Sequence, residues 1–318
     1  MSNNTYAEAT FNRLKIDIKE IYKKFPINKK FNPKPNQVNL IRTFFHKIYR
    51  NSFLPLKLRI YFWYLFRRTN IDLSWFKEFS NYGNRVLYRS RRFLHPSDLF
   101  YLKNYFSFLF ENLILPDTNN PNIHLEAWQK PELVAQLFYL VSKEYYTLDY
   151  NVLRALKKKK IKFRSFLEFG CATAPITTAL FEFFKLSKET KIFISDIQTI
   201  AFHYGAYKFR NCSNVIPLLL TPENDFLLKL NKKIDLIFCL RTFEHLNKPL
   251  EIVKIFNKIL NDKGYLIFDF IIPGGGYDTQ HALRERNTVL DYIDENFEVI
   301  SGKMSKERNT YFTIVRKK

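Results

Sequence analysis

From about residue 126 onward the sequence predicts an α/β fold, a mostly parallel sheet with helices on both faces and an antiparallel strand pair at its end. Three observations predict it. Short, continuous apolar runs alternate with helical patterns, as strands covered on both faces require. Two of the helical patterns open on proline, a favoured first helical residue. The last two apolar runs lie too close together for a crossover helix, so they pair antiparallel as a hairpin at one side of the sheet.

The elements follow in order. "PELVAQLFYLVSKEYY" carries Val134, Leu137, Phe138, Val141 and Tyr145 at helical spacing, and the basic run "KKKKIK" reads as its solvated end. The first strand is "SFLEF", and a helix from Pro175 places Ile176, Ala179, Leu180, Phe183 and Phe184 on one face. The strands "KIFISD", "NVIPLLL" and "KIDLIFCL" come next. A helix from Pro249 carries Ile252, Val253, Ile255, Phe256, Ile259 and Leu260, and Gly264 reads as its stop. "GYLIFDFII" is the fifth strand; "FEVISGKMS" and "NTYFTIVRK" hold the terminal pair.

Residues 1–125 read differently, as helical patches broken by Pro and Asn with no strand series. Val38, Ile41, Phe45 and Ile48 form one stripe, and a helix from Pro55 runs from Ile60 to Phe66 without a polar position. "LPDTNNPNIH", Leu115 to His124, is the linker candidate. The reading is therefore a helical, basic, aromatic-rich region 1–125 and a second domain 126–318.

Charge follows the same division. The chain carries a net +21. Residues 1–100 hold 20 Lys+Arg against 6 Asp+Glu, whereas residues 161–318 hold 23 against 18. A basic half suits nucleic acid, an anionic membrane surface or an acidic partner; AT-rich codon usage explains it equally. The stretch "LPLKLRIYFWYLFRR" at 54–68 is too short to span a bilayer of roughly 20 residues per helix. It reads as a buried helix, with peripheral membrane contact through Trp63 and its flanking arginines as the competing reading. The first residues lack a signal-peptide plan, and Cys171, Cys212 and Cys239 share no disulfide or metal spacing. A cytoplasmic location, on the inner face of a membrane if peripheral, is the expectation.

The chemistry concentrates at the strand ends, where ligands of such sheets bind. "LEFGCATAP" puts Gly170 one residue past the first strand. The loop lacks G-x-G-x-x-G and G-x-x-x-x-G-K-[ST], so it is neither a dinucleotide cradle nor a P-loop. One glycine with small neighbours still lets a ligand approach backbone. Asp196 ends the second strand, placed for a ribose diol or, alternatively, for capping the next helix.

"IDLIFCLRTFEHLNKPLEIVKIFNKILNDKGYLIFD" adds Asp235, Glu244-His245, Pro249 and Gly264 in order. With these residues the chain resembles the class I S-adenosylmethionine-dependent methyltransferases of the small-molecule type, over roughly 126–318. The resemblance implies a Rossmann-like seven-stranded sheet and S-adenosylmethionine as cofactor. It matches the family's E-x-G-x-G-x-G to Glu168, Gly170, Ala172 and Ala174. Alanine suits such positions where φ stays negative and costs steric room where it does not. The resemblance further implies a cofactor site of Glu168, Gly170, Cys171 and Ala172, with Asp196 and Ile197 at the ribose and Leu240 and Arg241 near the methionine end. Thr221, Glu223 and Asn224 are the open choices beside adenine. His245 and His281 are the general-base candidates, His281 in a loop whose Gly274–Gly276 run suits a lid hinge. The [DNS]-P-P-[YFW] stretch of base-amino methylators is replaced by "CLRTFEH", and the Pro-Cys pair of pyrimidine-carbon methylators is missing. The expected acceptor is a small molecule, glycan or lipid-linked group, with nucleic acid disfavoured. The alternatives are an RNA methyltransferase or a non-catalytic member of the fold acting as an interaction partner.

Overall fold

The computed structural model describes residues 146–184, 186–221, 228, 230–272 and 280–318. The helical readings before residue 146, the linker, the 54–68 stretch, the adenine-side residues Glu223 and Asn224 and the glycine run 274–276 lie outside the described residues. Among the described residues no helix is long and apolar enough to cross a membrane.

The element order is α1 (Tyr146–Lys158), β1 (Ser165–Phe169), α2 (Pro175–Phe183), β2 (Lys191–Ile197), α3 (Ile200–Lys208), β3 (Val215–Leu220), β4 (Ile234–Cys239), a 3-10 turn (Phe243–His245), α4 (Pro249–Ile259), β5 (Leu260–Phe270), α5 (Gln280–Asn296), β6 (Phe297–Ser301) and β7 (Thr310–Lys317). The strands form one seven-stranded sheet in the order β3-β2-β1-β4-β5-β7-β6. β1 to β5 pair in parallel, and β7 pairs antiparallel with both β5 and β6. The mostly parallel sheet with its terminal hairpin is thus as the sequence predicts.

Alternation along the strands divides the core into two layers. Phe166, Ile192 and Ile194 face Val152, Leu153, Leu180 and Phe202 of α1, α2 and α3. Leu167, Phe169, Phe193 and Ile237 face Ile252, Val253 and Phe256 of α4 and Val289, Leu290 and Ile293 of α5. Both faces are covered, which explains why the strands read as unbroken apolar runs.

Two boundaries differ from the sequence reading. α4 ends at Ile259, not at Gly264, and the chain passes directly into β5. The turn is made by Lys263 at φ 63, while a Cβ on Gly264 would stand 2.8 Å from the Asn261 carbonyl oxygen. A helix that the sequence reading lacks also precedes the terminal strand pair: α5 runs from Gln280 and buries Ala282, Val289, Leu290 and Ile293.

The topology places the site. From β1 the chain steps outward through β2 to β3, then returns to lay β4 on the other side of β1. This reversal opens a crevice outside the carboxyl ends of β1 and β4.

Candidate active site

The turn leaving β1 is left-handed three times: Gly170 at φ 64, Ala172 at φ 44 and Ala174 at φ 52. The two alanines therefore adopt the glycine conformation rather than avoid it, at about 1 kcal/mol or more each. Neighbouring elements hold them there. Cys171 N donates to the Ser195 carbonyl at 3.0 Å, and Ala172 N donates to Asp196 Oδ2 at 2.6 Å. Glu168, buried on the α2 side of β1, accepts from Ile176 N at 3.1 Å and from Thr177 N and Oγ1 at 2.8 and 2.6 Å. Because α2 has no side-chain cap of its own at Ala174, Glu168 supplies the acceptor its first N–H groups need. Lys208 donates from α3 to the Thr173 carbonyl and to Thr178 Oγ1. Gly205 lets the α3 backbone approach this turn: a Cβ there would stand 3.0 Å from Ala172 O.

Asp196 does not cap α3. Thr199 does, accepting from Phe202 N at 3.0 Å. Asp196 Oδ2 takes Ala172 N while Oδ1 takes Ile197 N at 2.7 Å, which leaves each oxygen a lone pair for a further donor. Ile197 closes β2 beside it, half-buried.

The turn leaving β4 is built alike. Leu240 is half-buried, Arg241 is left-handed at φ 51, and its N–H donates to Asp269 Oδ1 at 2.5 Å. Thr242 Oγ1 donates to the Leu240 carbonyl at 2.9 Å. A Cβ on Gly170 would lie 2.3 Å from Thr242 Oγ1. Glycine is thus demanded first by Thr242, which fills the side of Gly170 that a Cβ would occupy. Phe243 is fully buried and stacks on Phe270 at 5.4 Å. His245 follows, half-buried, near enough to Asp196 and Asp269 that its charge favours both carboxylates. His281, read as a loop residue, is the second residue of α5.

The carboxyl groups of this edge are weakly acidic. Burial pushes Glu168 up to about 7 against the bonds from Thr177 and Ile176. Burial likewise pushes Asp196 and Asp269 up to about 6, against the N–H bonds from Ala172 and Arg241 respectively. Asp196 keeps part of its surface open, while its carboxylate lies deep among neighbouring atoms. Burial also raises the Cys171 thiol, whose Sγ sits 3.8 Å from Ala172 O, so it is not a ready nucleophile.

A family model described as a methyltransferase domain matches residues 140–300, half of the chain. The chain belongs to this methyltransferase family. It is a class I S-adenosylmethionine-dependent methyltransferase with a Rossmann-like fold. Among solved structures, the methyltransferase is similar to an S-adenosylmethionine-dependent methyltransferase from Clostridium acetobutylicum, at 14% identity over 67% of this chain and 98% of that one, with a TM-score of 0.40. It is similar to the N-methyltransferase NodS from Bradyrhizobium japonicum at 14% identity over 54% and 94%, TM-score 0.39. An Aquifex aeolicus methyltransferase gives 18% identity over 52% and 87%, TM-score 0.37. No curated protein matches.

The residues present fit the cofactor. Asp196 keeps acceptor capacity on both oxygens for a vicinal diol. Glu168 fits less directly, because its oxygens are committed to α2. Sequence reasoning missed Lys208, Gly205, Thr242 and Asp269. Gly205 left a sequence signal as an isolated glycine within a helical pattern, and Asp269 as an acid near a strand tip.

Proposed function

We propose that this methyltransferase acts on a small-molecule, glycan or lipid-linked acceptor, with Asp196 at the cofactor ribose, the Gly170–Ala172 and Leu240–Arg241 turns around its methionine part, and His245 as general base. When bound, S-adenosylmethionine supplies a methyl group on a sulfonium, which asks the protein chiefly to hold a nucleophile in line. An oxygen nucleophile also needs a base. His245 suits that role because Asp196 and Asp269 would stabilise the imidazolium formed when it takes a proton.

The observation that carries the acceptor class is Phe243. An enzyme that methylates a flipped base offers aromatic or apolar faces for it to stack on. The aromatic that follows β4 here has no exposed surface and is committed to Phe256, Phe268 and Phe270. The three cysteines are free thiols, which suits a reducing cytoplasm. The division at residue 125 carries into this reading as a helical region whose role is acceptor recognition or partner docking.

Incubation with tritiated S-adenosylmethionine and cell extract fractionated into RNA, DNA, lipid and small molecules tests the acceptor class. Label in the lipid or small-molecule fraction is expected. Dominant label in intact nucleic acid overturns the reading.

A further inference from the structure

Asp196 and Asp269 make the same contact on opposite sides of the crevice. β2 lies outside β1, and its Asp196 accepts the N–H of left-handed Ala172 in the turn leaving β1. β5 lies outside β4, and its Asp269 accepts the N–H of left-handed Arg241 in the turn leaving β4. In each case a non-glycine residue is kept in a costly conformation by a carboxylate from the next strand.

The two turns also touch. Thr242, next to Arg241 and 7% exposed, packs so closely on Gly170 that no Cβ fits between them. A continuous series of contacts therefore runs from Asp269 through the Arg241 N–H and Thr242 to Gly170, and on to the Ala172 N–H held by Asp196. Releasing the Arg241 N–H would free that residue to leave the left-handed region, which would shift Thr242 against Gly170.

We propose that Asp269 is a positioning residue for cofactor binding: it fixes the turn after β4, and through the Thr242–Gly170 contact the turn after β1, without itself needing to touch the cofactor. The inference rests on the reading that these two turns hold the cofactor. It assigns to the tip of β5 a role separate from that of Asp196, whose spare lone pairs face the ligand directly.

The test is calorimetric titration of S-adenosylhomocysteine into the whole protein and its variants, with the unfolding temperature of each measured in parallel. Asp269→Ala removes the acceptor and should weaken binding about tenfold. Asp269→Asn keeps an acceptor oxygen for the Arg241 N–H and should restore affinity to within about threefold of the parent. A role confined to stability would lower the unfolding temperature of Asp269→Ala and leave its affinity unchanged in the cold; that result overturns the proposal. So does an Asp269→Asn variant as weak as Asp269→Ala, because charge rather than the hydrogen bond would then be acting. If Asp269→Ala does not fold, Thr242→Ala decides: it leaves the Asp269 bond intact and strips Oγ1 and Cγ2 from the contact with Gly170, and it should weaken binding several-fold, whereas unchanged affinity overturns the coupling. Asp196→Ala separates the two readings. Weakened binding there with unchanged Asp269→Ala refutes only the Asp269 role, whereas unchanged binding in both refutes the cofactor site itself.

Discussion

Asp235 and Asp196 stand at opposite ends of one sheet and face opposite demands. Asp235 begins β4 at the amino edge and accepts four bonds: from Arg164 N at 2.7 Å, Ser165 N at 2.9 Å, Ser165 Oγ at 3.1 Å and Asn261 Nδ2 at 2.5 Å. Burial pushes its carboxyl upward, but the Arg164, Asn261 and Ser165 donors outweigh that and hold its pKa below the ordinary aspartate value. Asp196 and Asp269, at the carboxyl edge, are more deeply enclosed with fewer donors, and both rise to about 6. A carboxylate whose lone pairs are filled by its own protein ties strands together. One that is enclosed yet short of donors is poised to receive them from something else. The two edges thus separate a strand-tying acid from the acids of the candidate site using the same residue type.

The largest expected effect tests whether the carboxyl edge is assembled as tightly as the Gly170 contact implies. Gly170→Ala places a Cβ at φ 64 against Thr242 and should cost about 3 kcal/mol in chemical denaturation, the sum of overpacking and left-handed strain. In a Thr242→Ala background the same change should cost about 1 kcal/mol less, since contacting residues couple. An equal cost in both backgrounds breaks the account of why this glycine is here. Asp235→Ala comes next. It strands the Arg164 and Ser165 N–H groups, and urea titration should show a loss of about 2 kcal/mol. Because it lies at the far edge, its cofactor affinity should match the parent's.

Glu168 sharpens the comparison through pH. Its carboxyl titrates near 4.5 in the unfolded chain and at about 7 when folded, so the folded state binds the extra proton between these values. Its contribution to stability is complete below about 4.5 and is lost as pH rises to about 7. Glu168→Gln mimics the protonated form and removes that titration. The stability of Glu168→Gln relative to the parent should therefore rise steadily from pH 4.5 to 7 in paired thermal melts. A difference independent of pH would mean that Glu168 is not enclosed as described.

The smallest effects concern the alanines. Ala172, half-buried at φ 44, should gain about 1 kcal/mol on replacement by Gly. Ala174, at φ 52 but fully buried, should change little, because about 0.8 kcal/mol of methyl burial is lost with the strain. Equal responses to the two changes would show that local strain, rather than its balance with burial, was misjudged.

Much of this was legible in the sequence. The strands were readable because both faces are covered and the apolar runs are unbroken, and the β6–β7 pair because eight residues allow no crossover helix. Asp196 was legible as the acid at a strand tip, though its two roles were separated only when Thr199 proved to be the cap. The α5 helix was missed because it follows a glycine run and its buried positions, Ala282, Val289, Leu290 and Ile293, are spread widely among polar residues. The stop of α4 was misplaced because Gly264 reads as a terminator, whereas the left-handed turn falls on Lys263. Lys208, Thr242 and the role of Asp269 were invisible for a plainer reason. Each acts on backbone groups brought near by the sheet, such as Thr173 O and Arg241 N, and no local pattern records such meetings.

The claim that the carboxyl edge receives the cofactor while the amino edge only holds strands together is tested most directly by titrating S-adenosylhomocysteine into the parent, Asp196→Ala and Asp235→Ala proteins under one set of conditions. Asp196→Ala should bind more weakly by about 1.5–3 kcal/mol, the scale of hydrogen bonds to a charged group, while Asp235→Ala binds like the parent. Equal affinity of the parent and Asp196→Ala, or a loss confined to Asp235→Ala, would contradict it.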